Sequence, residues 1–226
     1  MFIHYYMTPE PVTIREDITV GEANKIVAQH SFRHLPVVDE QMTLCGMVTD
    51  RDLRSACPST ILEDGERKQI LERVGARPVK EIMSEGLYSL HETATIDDAL
   101  FLFTSHAVGA LPVVNANNQV IGIFSVKDML HAYRNLFGLA EKGSMLVAVE
   151  DSGDKQLLAT IARELADHDI GCNRMVRTPG NMPQDSAAVY LRVNTCNKSL
   201  LRRVMEKAGV QLLPADQKHQ GGAVHA

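Results

Sequence analysis

The 226-residue chain has no tryptophan, few aromatic residues (5%) and no basic excess, since 23 Lys and Arg stand against 28 Asp and Glu. Replacing the counterions of nucleic-acid phosphates requires such an excess, so we expect no nucleic-acid partner. The sequence also lacks an apolar run near the ~20 residues of a membrane-spanning helix, and its first residues lack a basic and apolar signal segment. We therefore expect a cytoplasmic protein without a membrane partner.

Cysteine pairs and catalytic motifs are also missing. The four cysteines are scattered without a Cys-x-x-Cys pair, which indicates reduced thiols. No nucleophile elbow or Walker loop occurs. His30 and His34 are spaced as a metal pair on one helix face would be, but no third ligand lies nearby in the sequence. We expect no enzyme activity, no resident cofactor and no metal site.

An internal repeat organises the first two thirds of the chain. Residues 5–54 align without a gap on residues 81–130, with eleven identities in fifty positions. The best-matched blocks are 34–39 with 110–115 and 46–52 with 122–128. Chance rarely holds one register over separated blocks, so the repeat indicates duplication.

Each copy has the pattern strand, helix, strand, strand, helix. Thr19 and Glu22 fit a capping box, in which a hydroxyl and a carboxylate satisfy free backbone N–H groups at a helix start. Thr95 repeats this cap in the second copy, and apolar residues then recur at helical spacing in both copies. Two short apolar runs around a polar turn follow, as in a buried hairpin.

The last third has a different pattern, with the order βαββαβ of a ferredoxin-like fold. We therefore predict an α+β protein with five segments. The predicted bounds are a first repeat domain 1–56, a connector 57–78, a second repeat domain 79–138, a C-terminal domain 144–214 and a flexible tail 215–226.

One motif in each copy suits a nucleotide. It consists of a glycine, two apolar residues, a Thr or Ser, any two residues and an Asp. The hydroxyl and carboxylate positions are Thr49 and Asp52 in copy one and Ser125 and Asp128 in copy two. A hydroxyl and a carboxylate at a strand–helix junction can bind a ribose diol, and an intervening Arg or Lys can reach a phosphate. The alternative is that these residues only cap helices.

These motifs, together with Met7 to Pro9 and Arg33 to Asp39, resemble a tandem pair of cystathionine-beta-synthase (CBS) domains, the Bateman module, over residues 5–135. The resemblance implies βαββα repeats and two clefts for adenosine compounds such as AMP, ADP, ATP or S-adenosylmethionine. It also implies that the four motif residues named above bind the hydroxyls of the ribose. It assigns the adenine slots to Thr8, Val12, Thr13, Ser84, Tyr88 and Ser89.

Possible phosphate ligands differ between the copies. Copy one carries Arg33, His34 and Arg51, whereas copy two has Gly109 and Ala110 at the first two positions and Lys127 at the third. The sequence therefore predicts unequal phosphate binding. It does not decide which cleft Arg33 and His34 face.

Residues 144–214 resemble an ACT domain, a regulatory fold that often binds an amino acid at a dimer interface. The βαββαβ order supports this, although the usual Pro-Gly turn is replaced by a loop with Asp151, Ser152 and Gly153. A CBS pair followed by an ACT domain is similar in architecture to bacterial acetoin-utilisation proteins.

We expect a homodimeric adenine-nucleotide sensor that signals to its ACT domain or a partner. The alternative is an assembly module in which nucleotide is only structural.

Overall fold

A computed structural model describes residues 1–30, 33–57, 64–179 and 187–213, apart from the side chains of residues 64 and 67. The chain divides into two compact units, Met1–Ala132 and Tyr133–Ala226. The predicted tail 215–226 and residues 58–63 of the predicted connector lie outside the described residues. Within the described ranges, no helix is long and apolar enough to cross a bilayer.

The first unit contains both repeat copies in the predicted order. Copy one comprises β1 (Thr8–Pro9), β2 (Ile14–Arg15), α1 (Val20–Gln29), β3 (His34–Val38), β4 (Leu44–Thr49) and α2 (Asp50–Ala56). The connecting helix is α3 (Asp64–Gly75). Copy two comprises β5 (Leu90–His91), α4 (Ile96–His106), β6 (Ala110–Val114), β7 (Val120–Ser125) and α5 (Val126–Leu136), whose last residues belong to the second unit.

The two predicted capping boxes are confirmed. Thr19 precedes α1 and Thr95 precedes α4, and each hydroxyl accepts the backbone N–H of the third helical residue. The carboxylates of Glu22 and Asp98 accept the N–H of the capping threonine in return. The helix starts are thus determined by contacts three residues apart, which a sequence pattern can reveal.

The two hairpins have the same register. β3 pairs antiparallel with β4, so that His34 lies opposite Thr49, and β6 pairs with β7, so that Ala110 lies opposite Ser125. Both ladders shift register between the last two valines of the first strand. The duplication therefore extends from sequence to backbone geometry.

The start of each copy pairs with the other copy. β1 pairs antiparallel with β7, where Thr8 lies opposite Ile123, and Ser84 forms the equivalent bridge to Met47. The N–H of Ile3 donates to the carbonyl of Ala94 at 3.0 Å, and Ile3 is fully buried. The bounds predicted from the sequence place each of these segments with its own copy, but in the structure each segment pairs with a strand of the other copy.

The exchange buries apolar side chains. Val79, from the start of copy two, belongs to the buried core cluster of copy one with Leu35, Val37, Val48 and Leu53. Burying a valine removes apolar area from water and stabilises the fold by about 1.5–3 kcal/mol. This burial gives a physical reason for the exchange.

In the described part of the second unit, a three-stranded antiparallel sheet and two helices follow the end of α5. Its elements are β8 (Met145–Glu150), α6 (Leu157–Asp167), β9 (Cys172–Thr178), β10 (Ala188–Val193) and α7 (Lys198–Lys207). The strand order is β8-β10-β9, with Leu212 bridged to Val149 on the free side of β8. The last strand of the predicted βαββαβ order is therefore represented in the described residues by this one bridge and not by a ladder. The core of the second unit contains Ile161, Leu165, Leu191 and Leu201, each at most 1% exposed.

An ion pair closes the loop after β8. Both nitrogens Nε and Nη2 of Arg177 donate to the Asp151 carboxylate, at 2.5 and 2.6 Å, and the N–H of Gly153 donates at 2.9 Å. These hydrogen bonds, the Arg177 bonds first, lower the pKa of Asp151 from 3.8 to about 2. The predicted loop residues Asp151 and Gly153 therefore hold each other in place.

This pair predicts an acid response. Because the folded pKa of Asp151 lies below its unfolded value, the pair's stabilisation is present above pH 3.8 and is lost as pH falls towards about 2. In Arg177→Ala we expect a lower midpoint of thermal unfolding at pH 7, with the difference from wild type shrinking between pH 4 and pH 2. Arg203→Ala, which removes an exposed arginine from α7, is the control. A difference that does not change with pH would contradict the prediction.

Candidate functional site

The two repeated motifs lie at equivalent strand–helix junctions. Thr49 ends β4 and caps α2, and its N–H and hydroxyl donate to Oδ2 of Asp52 at 2.8 and 2.7 Å. Ser125 ends β7, and its N–H and hydroxyl donate to Oδ2 of Asp128 at 2.8 and 2.6 Å. Both pairs therefore cap helices, and this capping does not by itself exclude contact with a ligand.

Capping leaves part of each carboxylate unused. All the hydrogen bonds converge on Oδ2, and Oδ1 of Asp52 and of Asp128 has no hydrogen-bond partner among the described residues. Both aspartates are half-buried. The capping box thus fixes the carboxylate while one oxygen remains available to accept a hydrogen bond from a ligand hydroxyl.

A first cavity, cavity 1, joins the junction of copy one to the start of copy two. It encloses about 620 Å³, within the size range of small-molecule sites. Thr49, Arg51 and Asp52 line one side, and Ser84 and Tyr88 line another. The bridge between Ser84 and Met47 holds these sides together.

A second cavity, cavity 2, is its repeat counterpart. It encloses about 650 Å³ and joins the junction of copy two to the start of copy one. Ser125, Lys127 and Asp128 line one side, and Thr8 and Val12 line another. The pairing of β1 with β7 brings these segments together.

Arg33 and His34 line both cavities. The sequence left open which cleft these two residues face, and in the structure they belong to the linings of both. Arg33 directly precedes β3 and His34 is its first residue, so the start of this strand borders both cavities. The remaining difference in cationic groups is Arg51 in cavity 1 against Lys127 in cavity 2.

The two cavities also differ in the side chain that could contact an adenine base. In cavity 1, Tyr88 stacks on His106 with ring centroids 3.6 Å apart and planes 17° apart. Val12 stands at the equivalent position in cavity 2. An aromatic ring held in this way offers a flat face for stacking, so cavity 1 is the better suited to a planar base.

Some residues expected to bind a ligand do not line either cavity, and some lining residues were not expected. Thr13 and Ser89 are not among the described residues that line either cavity. Glu10 in cavity 2 and Glu85 in cavity 1 are additional lining residues, and only their position beside Pro9 and Ser84 could have suggested them. His30 follows the end of α1 and His34 begins β3, so these two do not share a helix face.

His34 predicts a pH effect on phosphate binding. Burial first, and then the charge of Arg33, lowers its pKa below the usual 6.5, although Asp50 and Asp52 oppose the shift. His34 therefore becomes cationic only below the usual range, and we expect phosphate affinity to rise as pH falls below 6.5. Titrations of AMP and adenosine at pH 7.5, 6.5 and 5.5 check this. His34→Gln should remove the rise, and an equal rise for adenosine would contradict the assignment.

Comparison with known proteins identifies the repeats. The CBS domain model matches residues 3–59 and 79–135, half of the chain. The inosine-5′-monophosphate dehydrogenase of Aquifex aeolicus is 32% identical over 125 residues, which cover 55% of this chain and 23% of the enzyme. The chain thus spans about a quarter of that relative, over the CBS region alone.

Two solved structures show the same fold. A Vibrio cholerae protein described as an acetoin utilization protein (AcuB) is 26% identical and has a TM-score of 0.51, covering 63% of this chain and 96% of its own. CBSX2 in complex with AMP is 22% identical with a TM-score of 0.51, covering 60% of this chain and 98% of its own. At that identity the likeness concerns the fold.

Proposed function

Because the chain belongs to the family of CBS-domain proteins, we propose that it is a non-enzymatic sensor that binds adenosine compounds in cavities 1 and 2. One observation carries the proposal. In both cavities a capping box fixes an aspartate, Asp52 or Asp128, with one carboxylate oxygen unused beside a cavity of nucleotide size. A ribose diol supplies the hydroxyl donors that such an oxygen accepts.

The candidate ligands are AMP, ADP, ATP and S-adenosylmethionine. AMP is the first to test, since CBSX2, which shares this fold, was solved with it. Arg51 can bind a phosphate in the bidentate manner, whereas Lys127 offers a point charge, which favours phosphate-bearing ligands in cavity 1. The bound state would then pass to the second unit or to a partner protein by differential affinity for two conformations.

Calorimetric titration of the full chain with AMP, ATP, S-adenosylmethionine and adenosine tests the proposal. We expect at least one of them to bind with a dissociation constant well below millimolar. Affinities no tighter than millimolar for all four would overturn it. Titration with GMP measures the selectivity for the base.

The phosphate contact has its own prediction. In the double variant Arg33→Ala/Arg51→Ala we expect ATP affinity to fall by about tenfold or more, because charge-assisted hydrogen bonds are lost, while adenosine affinity changes little. The salt dependence of ATP binding should flatten as well, since exposed charge pairs are screened. Lys25→Ala/Arg73→Ala, at exposed positions of α1 and α3, is the control for net charge. Equal losses for ATP and adenosine would show that the two arginines do not contact phosphate.

We further propose that the second unit is an ACT-type, ferredoxin-like domain. The strand order, with Leu212 beside β8 and β10 between β8 and β9, supports this, as do two helices in the expected positions of the chain. Asp151 is bound by Arg177, so the loop with Ser152 and Gly153 fits a structural role better than an amino-acid site. Titration with a set of amino acids tests this, and measurable heats for one of them would favour the ligand role.

Assembly is the second candidate function. Phe101 on α4 and Leu130 on α5 are 66% and 63% exposed, and Leu146 on β8 is 55% exposed. Large exposed apolar side chains favour contact with another chain. We propose a homodimer that uses both units, and light scattering at micromolar concentration measures it. A monomer would contradict the dimer, and an unchanged dimer after Phe101→Ser/Leu130→Ser would place the contact elsewhere.

A further inference from the structure

The two cavities share one wall. Among the residues that the structure describes, four line both cavities, namely Arg33, His34, Gly109 and Ala110. The first two are the repeat counterparts of the last two, at the same offset of 76 residues that relates the copies. The common wall therefore lies where the repeat symmetry relates cavity 1 to cavity 2.

The repeat symmetry is broken in this wall. Arg33 has glycine, Gly109, as its counterpart, and His34 has alanine, Ala110. A Cβ atom on Gly109 would lie 3.2 Å from Nε2 of His34, so the imidazole occupies the space that a second side chain would need. Two cavities are thus served by one guanidinium in their common wall.

His34 does not substitute for a second cation at neutral pH. Its burial, reinforced by the charge of Arg33, lowers its pKa, and the opposing effects of Asp50 and Asp52 are smaller than burial. The permanent charge of the shared wall is therefore that of Arg33, whose side chain belongs to an exposed residue and can move.

We infer that cavities 1 and 2 compete for Arg33, so that phosphate-bearing adenosine ligands bind with negative coupling while adenosine itself binds independently. This inference rests on the proposed function. A phosphate in one cavity draws the planar guanidinium into a bidentate pair and removes it from the other cavity.

The coupling is reciprocal and has a measurable size. Whichever cavity fills first weakens the other by the same factor, because coupling is a free energy shared by the two sites. We expect a factor of about ten for AMP, within the usual 5- to 150-fold range of coupling between sites. For adenosine the expected factor is one.

Calorimetry of the full chain can measure this factor. Asp128→Ala and Asp52→Ala each impair one cavity and so give the affinity of the other cavity alone. We expect the product of the two stepwise AMP association constants in the wild type to be about tenfold below the product of these two single-cavity constants. The corresponding adenosine products should agree.

Further variants assign the coupling to the shared wall. In Arg33→Ala both AMP affinities should fall and the coupling factor should approach one. Arg33→Lys, which keeps the charge without bidentate geometry, should give an intermediate factor. Arg51→Ala should weaken AMP in cavity 1 and leave the coupling in place.

Every outcome decides between the alternatives. Two equivalents of adenosine but one of AMP would be the limiting case of competition and would support the inference. Three results would overturn the inference while leaving the sensor proposal intact. The first is a wild-type AMP product equal to the product of the two single-cavity constants. The others are coupling that persists in Arg33→Ala and binding of only one equivalent of both AMP and adenosine. Failure of every adenosine compound to bind would overturn both.

Discussion

Asp52→Ala is expected to weaken the binding of every adenosine compound in cavity 1 by about 10- to 150-fold. A hydrogen bond to a charged group contributes about 1.5–3 kcal/mol, and the free Oδ1 of Asp52 is the acceptor that a ribose hydroxyl would lose. Asp128→Ala should have the same effect on cavity 2. Titrations with adenosine and AMP measure both losses.

The same substitution also removes a helix cap, so the control must separate binding from stability. Asp98 forms the same capping box with Thr95, at 2.8 and 2.7 Å, and lines neither cavity. Asp98→Ala should cost about 0.3–1.5 kcal/mol of unfolding free energy, as Asp52→Ala should through its cap. If Asp98→Ala weakened ligand binding as strongly, the effect of Asp52→Ala would come from helix stability.

Gly46→Val is expected to destabilise the first unit and to damage cavity 1 selectively. A Cβ on Gly46 would lie 2.5 Å from Sδ of Met83 and 3.2 Å from the carbonyl oxygen of Ser84, which lines cavity 1. Crowding of this kind typically costs about 1–3 kcal/mol. Denaturant unfolding measures the loss of stability, and adenosine titration should show cavity 1 weakened and cavity 2 retained.

The repeat supplies the reciprocal test. Gly122 lies against Sδ of Met7 in the same way, so Gly122→Val should weaken cavity 2 and spare cavity 1. Met83→Ala combined with Gly46→Val should restore part of the stability that Gly46→Val loses, because it removes the Sδ atom that the new Cβ meets. Gly65→Val, where a Cβ meets nothing within 4 Å, is the control. If Gly46→Val weakened cavity 2 instead, the exchange of segments between the copies would be wrong.

The sequence by itself determined the local structure and the chemistry of the motifs. Capping boxes, helical periodicity and hairpin strands depend on residues within a few positions of each other, and the repeat showed each pattern twice. Thr19 with Glu22, and Thr49 with Asp52, could be identified as junction residues for this reason. The pattern could not separate capping from ligand binding. The geometry shows that one carboxylate oxygen caps while the other has no hydrogen-bond partner in the described part of the chain.

Only the tertiary structure decided which segments share a cavity. β1 has two residues and therefore no periodicity, so nothing local indicates that it pairs with β7 across the repeat. That pairing follows from the burial of Ile3 and Val79 against the opposite copies, a contact between residues far apart in the chain. The placement of Arg33 between both cavities follows from the same exchange, because a shared wall exists only when each cavity draws on both copies.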